Sequence, residues 1–240
     1  MYKGIYIAAS GAILKQAQLD VVTQNIANAN TTGYKKDSLS FKEFLLQKEA
    51  GDIQDGRTMS ELSSFKTDLT NGIVIRTGNP LDIAIEGNGL IALDGDRYTR
   101  RGDLRKNSEG YLTTHNGAKI MGSGGPILLP EGSVDIDAEG KISVMEAGGN
   151  KPTEIDTIKI MDFGPNAEIT KAGDGQFTVN GSGTQITSGV KQGYLESSNV
   201  DPVKEMVHMI ETMREYESYQ KIIQVFDDAS AKVNNDMGRL

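Results

Sequence analysis

Residues 135–146 carry oxygen-bearing side chains at the spacing of a calcium-binding loop. Such a loop has oxygen ligands at its first, third, fifth and twelfth positions and a glycine at its sixth. These positions are here Asp135, Asp137, Glu139, Glu146 and Gly140. The spacing raises the hypothesis of a calcium-dependent binding module.

The sequence around this loop favours strands, whereas a calcium loop of this kind is flanked by helices. "SVDID" before the turn and "KISVM" after it alternate apolar with polar residues, and Pro130 and Gly132 lie just upstream. We therefore interpret residues 135–146 as a hairpin that turns at 138–140, with its carboxylates facing solvent. A calcium-dependent, β-rich secreted binding module remains the alternative function.

Other residues that could do chemistry are few. The two histidines, His115 and His208, have no metal-ligand spacing around them, and no motif supports a catalytic triad. Residues 122–126 are glycine-rich but lack the Lys-Ser/Thr ending of a phosphate loop. No cysteine is present, which excludes disulfides and thiolate metal sites. We predict a protein that is not an enzyme and needs no cofactor or metal; a secreted β-rich enzyme is the weakest hypothesis.

Charge and hydropathy exclude two further classes. The net charge of −8 opposes nucleic acid as a partner, because phosphate binding needs a basic surface. No apolar run reaches the roughly 18 residues of a membrane span. The N-terminal "MYKGIYIAASGAIL" resembles a short signal peptide, but its apolar spacing continues to Ile26. We expect this segment to be retained.

Glycine divides the 240 residues into three zones. Residues 1–50 contain three of the 28 glycines and residues 201–240 contain one, so the turn-rich part is the middle. This pattern predicts an α+β fold, with long N- and C-terminal amphipathic helices packed as a coiled coil and a β-rich middle of short antiparallel strands. The predicted domains are 1–31 (N-terminal axial helix), 32–70 (connector), 71–195 (β-rich outer domain) and 196–240 (C-terminal axial helix).

The first helix, expected over about Tyr2 to Ala29, has two apolar rows. One row is Ile5, Ala12, Leu19 and Ile26, and the other is Ile7, Leu14 and Val21. The rows lie about 200° apart around the helix. A surface helix has one such stripe, so two stripes predict partners on two sides or burial within a domain.

The last helix is expected to begin after Asp201, a good N-cap, with Pro202 in the first helical position. Apolar residues then recur at a nearly helical period up to a predicted end near Gly238. We expect the packing positions to be Met206, Ile210, Met213, Tyr216, Ile223 and Phe226.

Short apolar or alternating runs in the middle predict strands. They are 72–77, 82–87, 90–93, 110–122, 134–146 and 173–183, and Asn116-Gly117 predicts a hairpin turn in the fourth. Residues 38–52 are expected to form a short helix, and residues 53–68 an extended or loop-rich connector.

Several of these segments resemble the bacterial flagellar rod and hook proteins. "TQNIANANTTGYKK" (23–36) matches the family pattern at Asn25, Asn28, Asn30, Thr31, Gly33, Tyr34 and Lys35. Further blocks follow in the family's order, at 76–93, 98–130 and 193–224. The length and the C-terminal block are most similar to proximal-rod members, followed by distal-rod members.

The resemblance implies a structural subunit of the flagellar rod that polymerises with copies of itself and with other rod proteins. It implies export without a cleaved signal peptide through the flagellar type III apparatus, followed by incorporation into the basal body in the periplasmic space. It places the terminal helices around an axial channel, where one apolar row meets the chain's own C-terminal helix and the other meets a neighbour. Residues 25–36 would join the inner helices to the outer part, and their amides would bond within and between subunits.

Overall fold

The computed structural model describes residues 2–45, 58–146, 151–164, 167–187 and 189–237. Helix α1 spans Tyr2–Ala27 and helix α2 spans Pro202–Met237. The strands between them are β1 (Asp37–Leu45), β2 (Thr58–Thr67), β3 (Val74–Arg76), β4 (Ile83–Ile85), β5 (Leu90–Leu93), β6 (Arg97–Thr99), β7 (Arg105–Lys106), β8 (Leu112–Thr113), β9 (Ser133–Ile136), β10 (Lys141–Met145), β11 (Thr153–Thr157), β12 (Ile160–Asp162), β13 (Glu168–Gly173), β14 (Gln176–Asn180), β15 (Thr184–Ile186), β16 (Val190–Gln192) and β17 (Tyr194–Glu196). The predicted α+β class is confirmed.

The chain divides into two compact units. The helical unit contains Met1–Ala27, Asp37–Lys66 and Asp201–Leu240, and the β unit contains Asn28–Lys36 and Thr67–Val200. The segment 28–36 therefore folds with the β unit, although it directly follows α1 in sequence.

In the helical unit, α1 and α2 lie side by side. Gly4 of α1 lies against Phe226, and Gly11 lies against Tyr219. Farther along α1, Lys15 pairs with Glu215. Residues that come later in α1 contact residues that come earlier in α2, so the two helices run antiparallel.

Strands β1 and β2 pair with each other in a two-stranded sheet of the helical unit. The expectation of a short helix over 38–52 is therefore wrong for residues 38–45. In "SLSF", polar and apolar residues alternate with the period of a strand, and pairing with β2 outweighs the local helix propensity. Residues 46–52 lie outside the described part. The extended connector expected over 53–68 is strand β2 from Thr58 to Thr67.

The β unit is built from antiparallel pairings. Its largest sheet has six strands in the order β13-β14-β6-β5-β12-β15, and β11-β10-β9 form a three-stranded sheet. Aliphatic side chains from β4, β5, β10 and β12 meet in one core, together with Leu112, Ile120 and Leu129. The strands expected from the sequence at 82–87, 90–93 and 134–146 are present. Every residue of β4 and β5 is buried, whereas burial alternates along β10.

Candidate assembly surface and joint

Helix α2 begins where the sequence predicts. The Asp201 carboxylate accepts hydrogen bonds from the backbone N–H groups of Val203 and Lys204, at 3.1 and 3.2 Å. These donors have no partner inside the helix, so the carboxylate satisfies them. The hydrogen bonds that it accepts, above all the one from Lys204, lower the pKa of Asp201. The cap fixes the start of α2 at Pro202. This start determines which side chains lie on each face of the helix.

The first three turns of α2 expose an apolar stripe. The stripe consists of Val203, Met206, Val207, Ile210 and Met213, which are each between 44% and 65% exposed. Their spacing of three and four residues places them along one side of the helix. Among the predicted packing residues, Met206, Ile210 and Met213 thus lie in this exposed stripe.

A different side of α2 faces α1. Glu205 and Thr212 are buried there, and Tyr216, Ile223 and Phe226 are half-buried farther along. His208 lies on the same side, with its Nε2 2.8 Å from Nε2 of Gln18. Apolar periodicity alone did not predict the polar positions on this side of the helix. The signal was the seven-residue spacing of Glu205, Thr212, Tyr219 and Phe226.

The two predicted rows of α1 differ in burial. Ala12 of the first row is buried, and Ile5, Leu19 and Ile26 are half-buried. In the second row, Val21 is buried, Leu14 is half-buried and Ile7 is half-exposed. Tyr6 and Ile13, which the rows did not include, are 71% and 69% exposed, more than Ile7 at 50%.

Asn25 closes the C-terminal end of α1 by bonding to its own chain. Its side-chain N–H donates to the carbonyl of Asp37 at 2.9 Å, and its side-chain oxygen accepts from the N–H of Asp37 at 3.1 Å. The same amide reaches the Glu205 carboxylate at 3.4 Å. Asn25 is thus a buried polar link between α1, the start of β1 and α2.

We call residues 25–36 the joint. Its remaining part, residues 28–36, turns within the β unit. The Thr31 hydroxyl donates to the side-chain oxygen of Asn28 at 3.1 Å, while Asn30 is exposed. Gly33 has a φ of +65°, and a Cβ there would lie 2.7 Å from the carbonyl carbon of Arg100. Only glycine meets both conditions. Tyr34 is buried, and the ammonium of Lys171 lies 3.8 Å from the centre of its ring.

Lys35 anchors this segment to a buried group of three charges. Its ammonium donates to Glu196 at 2.7 Å and to the carbonyl of Thr70 at 2.7 Å. The other carboxylate oxygen of Glu196 accepts from Nε of Arg100 at 2.5 Å. All three side chains are at most 2% exposed.

The guanidinium of Arg100 has further acceptors around it. It donates to the backbone carbonyls of Ile85, Gly87 and Gly89. Burial of a charge is costly unless it is paired and hydrogen-bonded, and these contacts meet that condition. The three residues join four segments that are far apart in sequence, namely 33–36, 70–72, 85–100 and 194–196.

The pKa values of this group are shifted by burial and pairing. Burial lowers the pKa of the Lys35 ammonium, and the bond to Glu196 offsets part of that shift. Burial alone would raise the pKa of Glu196, but the charge of Arg100 and the bonds from Lys35 and the Gly72 N–H hold it below its ordinary value. At neutral pH the carboxylate is therefore ionised in the folded protein.

Nothing in the sequence pattern predicted that these three residues form a cluster. Lys35, Arg100 and Glu196 each lie in a different block that resembles the flagellar family, but no spacing rule joins blocks so far apart. Each of the three blocks contributes one charged residue to the cluster.

The calcium-loop hypothesis is wrong. Residues 135–146 form the β9–β10 hairpin, in which Ile142 pairs with Ile136 and Val144 with Val134. One carboxylate oxygen of Asp137 accepts the N–H groups of Glu139 and Lys141, both at 2.9 Å, so it stabilises the turn. Among the described residues, no group of three or more acidic or histidine side chains is placed to hold a metal ion.

Neither helix α1 nor helix α2, within the residues that the structure describes, is long and apolar enough to cross a membrane.

Three regions of the chain match protein-family descriptions. Residues 5–35 match the "Flagella basal body rod protein" family, and residues 84–144 match the D1 domain of the flagellar hook protein FlgE/F/G family. Residues 191–236 match the "Flagellar basal body rod FlgEFG protein C-terminal" family. The first region contains residues 25–35 of the joint, and the last region contains the apolar stripe.

Relatives match over nearly the full chain. The flagellar basal-body rod protein FlgG of Bacillus subtilis is 31% identical over 98% of this chain and 99% of its own length. FlgF of Escherichia coli is 31% identical over 98% of both chains, and FlgF of Caulobacter vibrioides is 30% identical over the whole of both. The identities to the FlgF and FlgG proteins are thus nearly equal.

A β unit with antiparallel strands, two terminal helices and these matches define a structural, non-enzymatic protein of the flagellar basal body. The chain belongs to the flagellar basal-body rod protein family. Rod proteins of this family assemble with each other into the rod of the motility apparatus.

Proposed function

We propose that this rod subunit polymerises helically through its terminal helices around an axial export channel. The observation that carries the proposal is the apolar stripe of α2, from Val203 to Met213, which remains exposed although α2 also contacts α1. Contiguous exposed apolar surface on a soluble protein marks an interaction site. A neighbouring subunit is the partner that the family membership supplies.

The two faces of α2 have different roles in this proposal. The side with Tyr216, Ile223 and Phe226 packs on α1 of the same chain as an antiparallel coiled coil. The side with Met206, Ile210 and Met213 packs on a neighbour. Such a contact joins different surfaces of two copies and, when the rotation does not close, generates an open helical tube.

Helix α1 contributes to both contacts. Ile5, Ala12, Leu19, Val21 and Ile26 pack inside the helical unit, where they are buried or half-buried. Ile7, Leu14 and the exposed Tyr6 and Ile13 extend the surface offered to a neighbour. The four-part division of the chain, with 32–70 as connector and 71–195 as outer domain, remains part of this proposal.

The cellular route is also a proposal. We infer that the chain leaves the cell unfolded through the flagellar type III apparatus and enters the part of the rod that crosses the periplasm. The contacts of Gly4 and Gly11 with α2 support retention of the N-terminal segment, because its cleavage would remove one half of the helix pair. The identities of the chain to its FlgF and FlgG relatives are nearly equal, so the preference for the proximal rod stays a prediction.

The substitution Ile210→Asp tests the assembly surface. It places a charge in the centre of the stripe, on the side of α2 that does not face α1, so each isolated subunit should fold normally. We expect cells that carry the variant to export the protein but to lack a complete rod and to be non-motile. Motility is scored in soft agar, and rods are scored by electron microscopy of basal bodies.

Leu128→Asp is the matched control for this experiment. Leu128 is exposed to the same extent as Ile210, at 52%, but lies in the β unit. The control should assemble and support motility. Normal motility of Ile210→Asp cells would contradict the proposed role of the stripe.

A further inference from the structure

The β unit contains an open cavity of about 530 Å³. This volume lies within the range of roughly 300–1,000 Å³ that is typical of pockets with a bound occupant. Apolar parts of its lining come from Leu69, Met161, Phe163 and Ile169, which are half-buried. The lining also includes the buried cations Lys35 and Arg100, whose charges Glu196 compensates in part.

The same unit carries an apolar ridge formed by strand β3 and the residue before it. The ridge consists of Ile73, Val74 and Ile75, of which Ile73 is 76% exposed. Among the described strands, β3 pairs only with β17, so its second edge is open. Proteins normally protect an exposed apolar edge strand, because it invites pairing with another chain.

The ridge is absent from the lining of the cavity in its own chain. The two features are nevertheless complementary in chemistry. Aliphatic side chains of the ridge match the apolar lining, and Arg76, at the end of the ridge, matches the carboxylates of Asp68 and Asp162 in the lining.

We propose that the apolar ridge of one copy occupies the cavity of a second copy of this chain. The inference rests on the proposed assembly and adds to it a specific contact between β units. A ridge and a cavity on different surfaces form a head-to-tail contact, and such contacts propagate without closing. This geometry is compatible with a polymer built from identical subunits.

Disulfide trapping tests this contact, because the natural chain has no cysteine. Full-length Ile75→Cys and full-length Ile169→Cys are purified separately, mixed in equal amounts, allowed to assemble and oxidised mildly. Contact between the ridge and the cavity raises the effective concentration of the two thiols to the millimolar range. We expect the mixed disulfide in sedimented assemblies to form at least roughly tenfold faster than in the control pair.

The control pair is Leu128→Cys with Ile169→Cys. Leu128 is as exposed as Ile75, at 52% against 54%, and lies in the same unit outside the ridge. Hydrogen exchange of β10 amides checks that each variant retains the β core.

The outcomes separate this contact from the wider proposal. Rapid mixed-disulfide formation in the test pair alone supports the contact. Assembly with equal, slow disulfide formation in both pairs overturns the contact and leaves the proposed function intact. Failure of the natural chain and all variants to assemble under any condition, including alongside other rod proteins, would overturn both.

Discussion

At the residue scale, the most consequential group is the buried set of Lys35, Arg100 and Glu196. It attaches the segment that follows α1 to the interior of the β unit through charged side chains that are at most 2% exposed. An ion pair of this kind adds little net stability over an apolar substitute, but loss of one partner leaves an uncompensated buried charge. The group therefore specifies where the segment 33–36 attaches.

The substitution Glu196→Gln tests this role. It leaves two cations facing one neutral side chain, so we expect the free energy of unfolding of the β unit to fall by about 3–5 kcal/mol. Hydrogen exchange of β10 amides reports this value, because core amides exchange through global opening of their unit. Glu154→Gln, which removes a surface pair with Lys141, should cost under about 1 kcal/mol. Equal losses in the two variants would contradict the assigned role.

The same residue predicts a dependence on pH. The pKa of Glu196 is lower in the folded protein than its ordinary value of about 4.3. The unfolded chain therefore binds the proton first as the solution is acidified, and stability that is fully present above that value is lost below it. The stability difference between the natural chain and Glu196→Gln should narrow from pH 5 towards about pH 3. Hydrogen exchange of β10 amides, corrected for the intrinsic exchange rate at each pH, measures this stability difference. A stability difference that stays constant between pH 5 and about pH 3 would contradict the lowered pKa of Glu196.

Single residues also show where reading the sequence succeeded. Asp201 as N-cap follows from local backbone chemistry, and the structure has this cap. The amides of residues 25–36 were expected to bond within and between subunits, and the bonds of Asn25 to Asp37 lie within one chain. The charge cluster could not be predicted, because it depends on the tertiary fold that brings together residues about 60–160 positions apart.

At the element scale, the pairing of α1 with α2 depends on small residues opposite large ones. A Cβ at Gly11 would lie 2.6 Å from the ring of Tyr219, and one at Gly4 would lie 2.8 Å from the ring of Phe226. The two glycines are seven residues apart, as are the two aromatic residues. This match of spacings sets the alignment of the antiparallel helices.

Gly11→Leu tests that alignment. The added side chain overlaps the Tyr219 ring, and overpacking of this type costs about 1–3 kcal/mol. We expect the helix pair to open more readily, with faster amide exchange along α1 and α2, while β10 exchange stays unchanged. Gln16→Leu is the control, since Gln16 is exposed on the same helix. Unchanged exchange in the helices of Gly11→Leu would contradict the close packing.

Elements also show the limit of periodicity as a guide. In α2, the apolar period identified an apolar stripe but did not show that this stripe faces away from α1. The side that faces α1 instead carries Glu205, His208 and Thr212. In β1, an expected helix is a strand because it pairs with β2, the next strand along the chain. Local pattern identifies an amphipathic element, whereas the partner decides which face is buried.

At the scale of the whole molecule, the sequence was sufficient for the α+β class and the family. Long terminal helices and a glycine-rich middle follow from composition and spacing, and the family blocks extend over nearly the full length. The membership of residues 28–36 in the β unit did not follow, because it depends on Lys35 and Gly33 reaching Glu196. The assembly surface is likewise a property of several copies together.

The central claim is that the exposed stripe of α2 becomes buried between subunits around an axial channel. Electron cryomicroscopy of basal bodies, with this chain located in the rod, measures this directly. We expect a neighbouring subunit to contact Val203, Met206, Val207, Ile210 and Met213, while Tyr219 and Phe226 remain against α1. A rod in which this stripe faces solvent, or in which the subunits contact one another only through their β units, would contradict it.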